Sequence, residues 1–278
     1  MPESNQKFLI KGLGGKKDLS GLITIGGAKN AVMPAFAASL LFETPLTLER
    51  VPAIEDVERM SELLQGIGVA VSKGDAAYTI DANTQKLTPE LDRVSASRMR
   101  SSVFLTGPLL ARTGHVRFPH PGGCVIGERP IDQFLEGFKK MGATISEDGK
   151  WYDLQSKDGL KGIEHFFNIM SVSATETFMM AAVLARGTTV LKNAAMEPEV
   201  VSLAELLRSG GAKIHGEGTP TITIEGGGLL RATASYVTIP DRIETGSFLI
   251  LGALTARDLV LADCNPTHIE ILIEILKS

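Results

Sequence analysis

The sequence predicts a mixed α/β (α+β) fold in which a βαβαββ-like unit is repeated along the chain. Apolar segments rich in small residues recur about every seventy residues, a longer period than that of the common solenoid repeats. Each segment is followed by a short β-like run and then by an amphipathic helix. Alternation of strands and helices is typical of α/β domains.

Four apolar segments are predicted to form buried helices. The first three are closed by turns at Thr44-Pro45, Thr113-Gly114 and Gly187, whereas Asp258 alone follows the fourth. Proline and glycine end helices because proline lacks the backbone N–H and glycine adopts turn conformations readily. The predicted helices are Asn30–Phe42, Arg98–Arg112, Ser173–Arg186 and Glu244–Arg257.

A short β-like run and an amphipathic helix come next in each copy. In the first such helix, Val57, Met60 and Leu64 recur at the spacing of a helix with one buried face. The runs are Leu46–Val51, His115–Phe118, Thr188–Lys192 and Leu259–Ala262. The amphipathic helices are Ile54–Gly66, Ile131–Gly142, Pro198–Gly210 and Thr267–Leu276.

In the first three copies, glycine ends the amphipathic helix and a pair of strands follows. Glycine supplies the left-handed C-cap, and turn residues such as Asp148-Gly149 separate the two strands. The fourth copy reaches Ser278 before its glycine and strand pair. The predicted pairs are Val69–Ser72 with Tyr78–Asp81, Thr144–Ser146 with Trp151–Leu154, and Lys213–His215 with Thr221–Glu225.

Such a unit cannot bury its apolar faces alone, so the copies must pack together. We therefore predict one compact domain of three units over residues 26–235. Residues 1–25 and 236–278 are expected to form part of a second domain that this sequence does not complete.

Composition indicates a folded protein that binds neither nucleic acid nor membranes. Hydrophobic residues make up 44% and charged residues 22%, and a net charge of −4 provides no general basic field. Two cysteines are too few for a disulfide framework, which favours a location in the reducing cytoplasm. The first eleven residues have no apolar h-region, and the run Ala31–Phe42 contains Pro34 and is too short to span a bilayer.

The stretch Pro119–Asp132 is the strongest candidate for a functional site. Cys124 follows two glycines, which let the backbone approach a ligand closely, and Arg129 comes five residues later. The arginine fork suits phosphate or carboxylate, and a nearby cation lowers the pKa of a thiol. The alternative is a mobile loop that contains a cysteine by chance.

Metal and nucleotide-cofactor motifs are not found in the sequence. The five histidines lack the spacing of zinc ligands, and neither a Walker pattern nor a dinucleotide glycine pattern occurs. We therefore expect neither a cofactor nor a metal.

Several segments, in order along the chain, resemble one known family. The sequence resembles the UDP-N-acetylglucosamine 1-carboxyvinyltransferases, which are enolpyruvyl transferases of peptidoglycan synthesis. The segment around the cysteine is specific to that family, whereas Gly-Gly-Ala-Lys alone is a weak match. The matching segments are Gly26–Ala31, Met99–Ser102, Pro121–Asp132, Glu197–Glu199 and Pro240–Gly246.

The resemblance implies an inside-out α/β barrel fold of two domains, built from six copies of the repeated unit. It also implies that roughly a third of the usual protein, with a catalytic aspartate and further arginines, is absent from this sequence. The implied reaction moves an enolpyruvyl group from phosphoenolpyruvate to the 3′-hydroxyl of UDP-N-acetylglucosamine by addition and elimination, releasing phosphate.

The resemblance also implies roles for individual residues. Cys124 is the implied proton donor and fosfomycin target. Ile169 and Ser173 stand where the family commonly has a lysine and a glycine, in the segment that the resemblance assigns to the diphosphate. The implied phosphoenolpyruvate contacts are Lys29, Asn30 and Arg129. The implied UDP-N-acetylglucosamine contacts are Arg100, Arg129, Pro130, Ile131, Asp132, Gln133, Ser171 and Val172.

Alternatives stay open at the level of residues and of function. The alternative to a ligand-binding role is that Lys29 is a solvated lysine after a turn and that Arg100 is a surface residue at a helix end. For Asp132 the alternative is an acidic residue in the first turn of a helix, where the helix dipole favours it. The related shikimate-pathway transferase shares the fold. A ligand-binding module without turnover and a repeat scaffold without a small-molecule site are the alternatives from other classes.

Overall fold

The computed structural model describes residues 7, 9–12, 14–83, 86–120 and 131–278. The chain separates into a larger unit, residues 27–239, and a smaller unit, residues 1–26 and 240–278. The larger unit begins one residue later and ends four residues later than predicted. Tyr236 and Val237 belong to the larger unit because they form a strand beside the first strand of its first copy.

Elements follow the repeat along the described part of the chain. The opening strand, β1 (Leu19–Thr24), belongs to the smaller unit. The first copy has α1 (Lys29–Ala38), a 3-10 helix (Ser39–Leu41), β2 (Leu46–Glu49), α2 (Glu55–Gly66), β3 (Ala70–Lys73) and β4 (Ala77–Asp81). The second has α3 (Arg93–Ser97), a 3-10 helix (Arg100–Leu105), α4 (Thr106–Thr113), β5 (His115–Pro119), α5 (Asp132–Lys140), β6 (Thr144–Glu147) and β7 (Trp151–Gln155).

The third copy is complete, and the fourth continues into the smaller unit. The third has β8 (Glu164–Phe166), α6 (Val172–Val183), β9 (Thr188–Lys192), α7 (Pro198–Ser209), β10 (Lys213–His215) and β11 (Thr221–Glu225). The chain ends with β12 (Tyr236–Val237), α8 (Arg242–Thr255), β13 (Ala256–Ala262), a 3-10 helix (Pro266–Ile269) and α9 (Glu270–Lys277).

Three sheets of the larger unit share one topology, which confirms the predicted repeat. Counting from the strand that follows the apolar helix, the first strand of each copy pairs antiparallel with the third, and the third pairs antiparallel with the second; the orders are β2-β4-β3, β5-β7-β6 and β9-β11-β10. A parallel neighbour flanks each first strand: β12 beside β2, β8 beside β9, and a bridge from Glu90 to Arg117 beside β5.

The apolar helices lie at the centre of the larger unit and the sheets lie outside them. The helices α1, α4 and α6, with the 3-10 helix of the second copy, contact one another. In α6 every residue from Ala174 to Val183 is buried. Strands β4, β7 and β11 alternate buried with more exposed residues, as expected for sheets that face a core on one side. Helices inside and sheets outside form the inside-out arrangement that the resemblance implied.

The second apolar segment differs from the prediction, because its first half is a 3-10 helix. The Ser102 hydroxyl donates to the carbonyls of Ala96 and Met99 at 3.0 and 2.8 Å, and so competes with regular helical bonding. Pro108 has no N–H to donate to the Phe104 carbonyl four residues earlier. A regular α-helix is therefore limited to Thr106–Thr113.

The connector after the first strand is alike in three copies and different in the second. Arg50, Asn193 and Asp263 directly follow β2, β9 and β13, and their φ angles of 55°, 54° and 54° place them in the left-handed region. Residues other than glycine rarely adopt that region, so its recurrence marks a shared turn. His120, which follows β5, does not adopt it. The second copy is the one that carries the candidate cysteine.

The smaller unit contradicts one prediction. Strands β1 and β13 form a two-stranded parallel sheet, which fits the repeat. The apolar helix of the fourth copy was predicted to be buried, but in α8 only Thr245 and Gly246 are buried. Within the described residues of this unit, one short sheet and α9 are too little to cover a helix that is apolar on several faces.

His165, on β8, is a buried histidine among aromatic rings of the larger unit. Its ring lies 4.8 Å from Phe167 and 5.3 Å from Phe178, and neither ring nitrogen has a hydrogen-bond partner among the described residues. Burial lowers the pKa of His165, Lys140 lowers it further, and Glu136 raises it. The neutral ring is therefore the form that the core accommodates.

We predict that His165→Phe makes the protein less sensitive to acid. Because the pKa of His165 is lower in the folded protein, wild type loses stability as the pH falls below 6.5, where the unfolded chain takes up the proton first. Phenylalanine removes that dependence and two buried unsatisfied nitrogens, a gain on the order of 1–2 kcal/mol. Urea unfolding followed by fluorescence of Trp151, the single tryptophan, measures it.

The control is His215→Phe, on an exposed position of β10 in the same sheet. Equal acid sensitivity of wild type and His165→Phe would contradict this interpretation of the buried ring.

Candidate functional site

Three predicted site residues begin equivalent elements of the repeat. Lys29 is the first residue of α1, Arg100 the first of the 3-10 helix and Val172 the first of α6. All three elements belong to the central helical cluster. The starts of helices carry unpaired backbone N–H groups and a partial positive charge, both of which favour anions.

Lys29 forms an ion pair with Asp56, in the first turn of α2. The Lys29 side chain remains about half exposed, at 48%, so an anionic ligand can reach it. An exposed ion pair of this kind contributes little to stability, and its main effect is to orient the ammonium group. Asn30, the next residue of α1, is also exposed. The sequence indicated Lys29 as a candidate but not its partner, because the position of Asp56 indicates only an acidic residue in the first turn of a helix.

Gly27 allows the close backbone approach that positions the start of α1. A Cβ atom at Gly27 would lie far inside van der Waals contact with the carbonyl oxygen of Arg50. The Ala28 N–H donates to the Ile239 carbonyl at 2.8 Å, which fixes the residue before Lys29. The glycine is thus required by the fold, two residues from the candidate lysine.

Ser171 and Val172 form the start of α6. The Ser171 Oγ accepts a hydrogen bond from the Ala174 N–H at 3.3 Å and so acts as the N-cap. Ser173 lies beside it, with the two Oγ atoms 3.5 Å apart. Ile169, two residues before the cap, is 69% exposed. The surface next to this helix start therefore presents an apolar side chain.

The start of α5 carries three further predicted residues. Ile131 is buried, and its carbonyl accepts from the N–H groups of Phe134 and Leu135 at 2.9 and 3.1 Å. Asp132 is exposed at the first helical position. Gln133 has a buried Oε1 without a hydrogen-bond partner among the described residues. The side chain of Ile131 thus belongs to the core. The polar side chains that could contact a ligand at the start of α5 are those of Asp132 and Gln133.

Cys124, Arg129 and Pro130 lie outside the described residues. The last described residue before that segment is His120, whose ring stacks on Tyr152 at 4.4 Å and whose Nε2 lies 3.1 Å from a Glu147 carboxylate oxygen. Cys264, predicted to be a packing residue, is half-buried, and its thiol lies 3.4 Å from the Leu261 carbonyl.

Sequence reasoning missed a buried acidic group beside the candidate site. Glu176 on α6 is fully buried, and neither carboxyl oxygen has a hydrogen-bond partner among the described residues. Burial raises its pKa well above the usual value, and Glu199 and Glu197 raise it further. The signal was available, because a single charged residue in an otherwise apolar helix is costly unless it is neutral or paired.

Among the described residues, no group of three or more His, Cys, Asp or Glu side chains is arranged to hold a metal ion. No helix in the described part of the chain is both long and apolar enough to cross a membrane. The described site therefore offers cationic and helix-start groups to an anionic ligand, together with an acidic side chain, Asp132.

A comparison with protein families matches residues 13–278 to the family model of EPSP synthase (3-phosphoshikimate 1-carboxyvinyltransferase). Among similar curated proteins, a UDP-N-acetylglucosamine 1-carboxyvinyltransferase of Solibacter usitatus is 44% identical over 98% of this chain. A protein of the same name from Psychrobacter sp. is 42% identical over 95% of the chain. The chain spans 64% and 60% of the length of these two relatives.

Solved structures show the same fold at lower identity. The enolpyruvyl transferase NikO from Streptomyces tendae superposes with a TM-score of 0.79 at 23% identity, covering 94% of this chain and 60% of its own. EPSP synthase from Acinetobacter baumannii gives 0.76 at 21% identity, with 95% and 60% covered. These likenesses confirm the predicted enolpyruvyl transferase type of fold.

We predict that Gly27→Ala destabilises the larger unit by about 2–3 kcal/mol, because a Cβ atom there overpacks against a backbone carbonyl that cannot move cheaply. Urea unfolding followed by Trp151 fluorescence measures the change. The control is Gly66→Ala, at the end of α2, where a Cβ atom meets nothing within 4 Å. That substitution is expected to be neutral or to stabilise by up to about 1 kcal/mol. Equal effects of the two substitutions would contradict the role given to Gly27.

Proposed function

The chain belongs to the EPSP synthase family of carboxyvinyltransferases. We propose that it takes part in the transfer of an enolpyruvyl group from phosphoenolpyruvate to the 3′-hydroxyl of UDP-N-acetylglucosamine, which releases phosphate. The observation that carries this choice of acceptor is the 42–44% identity to relatives named for that reaction. The EPSP synthase structure is only 21% identical. The reaction belongs to peptidoglycan synthesis, and we place it in the cytoplasm.

Phosphoenolpyruvate is assigned to the start of α1. Its phosphate and carboxylate are both anionic, so fixed cations are needed in a protein of net charge −4. Lys29 supplies an exposed ammonium group there, and Asn30 can donate a hydrogen bond from its amide. Arg129 is assigned to the same substrate by resemblance and lies outside the described residues. Preorganised cations stabilise the charge that builds on the leaving phosphate.

The nucleotide sugar is assigned to three helix starts of the larger unit. Arg100 begins the 3-10 helix, Ser171 caps α6, and Asp132 begins α5. A carboxylate such as Asp132 can accept hydrogen bonds from a base or sugar, and a guanidinium can hold phosphate. The remaining residues assigned to this ligand are Arg129, Pro130, Ile131, Gln133 and Val172.

Cys124 is assigned as the proton donor and the residue modified by fosfomycin. Addition of the sugar hydroxyl to phosphoenolpyruvate requires a proton at C3 of the enol. A thiol near a cation has a pKa suited to deliver that proton at neutral pH. Support comes from the sequence, where Cys124 follows Gly122 and Gly123 and precedes Arg129.

Binding without turnover is the second candidate for this chain by itself. The 278 residues span 60–64% of the length of the relatives, so the acceptor is best tested by binding, which does not require every part of a relative. Steady-state phosphate release by the purified chain would rule out a purely binding role. The shikimate-pathway acceptor is the third candidate, favoured by the name of the matched family.

We predict that the purified chain binds UDP-N-acetylglucosamine and does not bind shikimate 3-phosphate, as measured by calorimetry.

Lys29→Met should lower the affinity for phosphoenolpyruvate about 10- to 100-fold, since a charge-assisted hydrogen bond contributes roughly 1.5–3 kcal/mol. The matched control is Lys86→Met, outside the helix starts.

Fosfomycin should label Cys124 and not Cys264, and bound nucleotide sugar should protect Cys124 from labelling.

Preference for shikimate 3-phosphate, or equal labelling of both cysteines, would contradict the proposed acceptor and the proposed role of Cys124. Binding of neither acceptor would favour a scaffold.

We predict that Ile169→Lys strengthens binding of UDP-N-acetylglucosamine by about fivefold at low salt, because a cation near the diphosphate gains roughly 1 kcal/mol. The wild-type side chain is apolar and exposed two residues before the Ser171 cap. Uridine, which has no phosphate, is the control ligand, and Ile169→Gln is the neutral control variant. A gain that is equal for uridine, or equal in the glutamine variant, would contradict a diphosphate contact at this position.

A further inference from the structure

Glu176 is a buried titratable group that the proposed chemistry does not use. It lies in the second turn of α6, and its side chain is completely inaccessible to solvent. Both of its oxygens lack hydrogen-bond partners among the described residues. An ionised carboxylate in such a place is costly, since neither water nor a donor compensates the charge.

Among the described residues, two acidic groups raise the pKa of Glu176. Glu197 and Glu199, at the start of α7, both raise the pKa of Glu176, after the larger effect of burial. Glu199 is buried, and Oε2 of Glu197 is buried without a partner among the described residues. Tyr236 on β12 is a further titratable group near Glu176, and burial raises the pKa of Tyr236 to about 12. The Tyr236 hydroxyl lies 2.7 Å from that of Ser202 and remains protonated.

Glu176 also lies next to the start of α6, which carries two candidate nucleotide-sugar residues. It is four residues after Val172, so the two side chains lie on one face of the helix, one turn apart. The neighbouring Thr175 hydroxyl accepts from the Ala195 N–H at 3.0 Å, which ties this part of α6 to the segment leading into α7. A change in the α6–α7 contact at Glu176 is therefore close to Ser171 and Val172.

We propose that Glu176 is a positioning residue whose uncharged carboxyl group keeps the start of α6 packed against the start of α7, and whose ionisation loosens that contact and weakens nucleotide-sugar binding. The coupling to binding rests on the proposed function, whereas the effect on folding does not. Glu197 and Glu199 disfavour a negative charge on Glu176, and the low-dielectric interior strengthens that effect. Folded protein therefore retains the proton to a higher pH than the unfolded chain does.

The experiment compares wild type with Glu176→Gln, which is uncharged and of the same shape. Wild type loses stability as the pH rises from 4.5, the ordinary value, through the raised pKa of Glu176, and the glutamine variant does not. Between about pH 6 and pH 9 the melting temperature of wild type is expected to fall by about 5 °C relative to the variant. Over the same range, the Kd of wild type for UDP-N-acetylglucosamine should rise about tenfold relative to that of the variant.

Glu205→Gln, on an exposed position of α7, is the control and should follow wild type in both measurements. Glu176→Met is a second uncharged variant, in case glutamine folds poorly, and should follow Glu176→Gln. The same pH dependence in wild type and both uncharged variants would overturn the proposal. No binding of the nucleotide sugar by wild type at any pH would instead contradict the proposed function, a result distinct from binding without a pH difference.

Discussion

Packing three repeat-related helices against one another is the constraint on which the larger unit depends. A helix surrounded by other helices and by sheets must be apolar or small on every face, and α1 and α6 are buried along most of their length. Backbones approach closely where side chains are absent: a Cβ atom at Gly107 would lie 2.5 Å from the Thr177 carbonyl oxygen. Arg112 ties two copies together, because its guanidinium donates to the Leu40, Phe42 and Ala82 carbonyls.

This centre determines where polar chemistry can occur. Charged side chains are tolerated at the helix starts, where Lys29 and Asp56 remain partly exposed. Deeper in the unit, ionisable groups are held neutral: Glu176 by a raised pKa and His165 by a lowered one. His165 makes the folded state lose stability as the pH falls below 6.5, and Glu176 makes it lose stability as the pH rises above 4.5, so the two effects oppose each other between these values. The candidate ligand surface is thus the polar rim of an apolar cluster.

The two units differ in how completely their helices are covered. In the larger unit, three sheets cover the central helices, and almost every apolar side chain of those helices is buried. In the smaller unit, Leu254, Val260 and Ile271 are more than half exposed within the described structure. Within the described residues, the repeated pattern therefore gives a covered helix, α6, in the larger unit and a largely exposed one, α8, in the smaller unit. Burial depends on how many copies surround a helix as well as on its composition.

Periodicity along the sequence determined the elements of the repeat, because apolar spacing and terminating glycines are local properties: α2 and the β6–β7 pair lie where Val57, Met60 and Asp148-Gly149 predicted them. Family motifs singled out Lys29 and Ser171, and the structure places both at helix starts. Tertiary structure alone decided that α8 is exposed, that Asp56 pairs with Lys29, and that Glu176 faces two other acids. Those outcomes depend on contacts between residues distant in sequence, and no local pattern encodes which partners a buried group will meet.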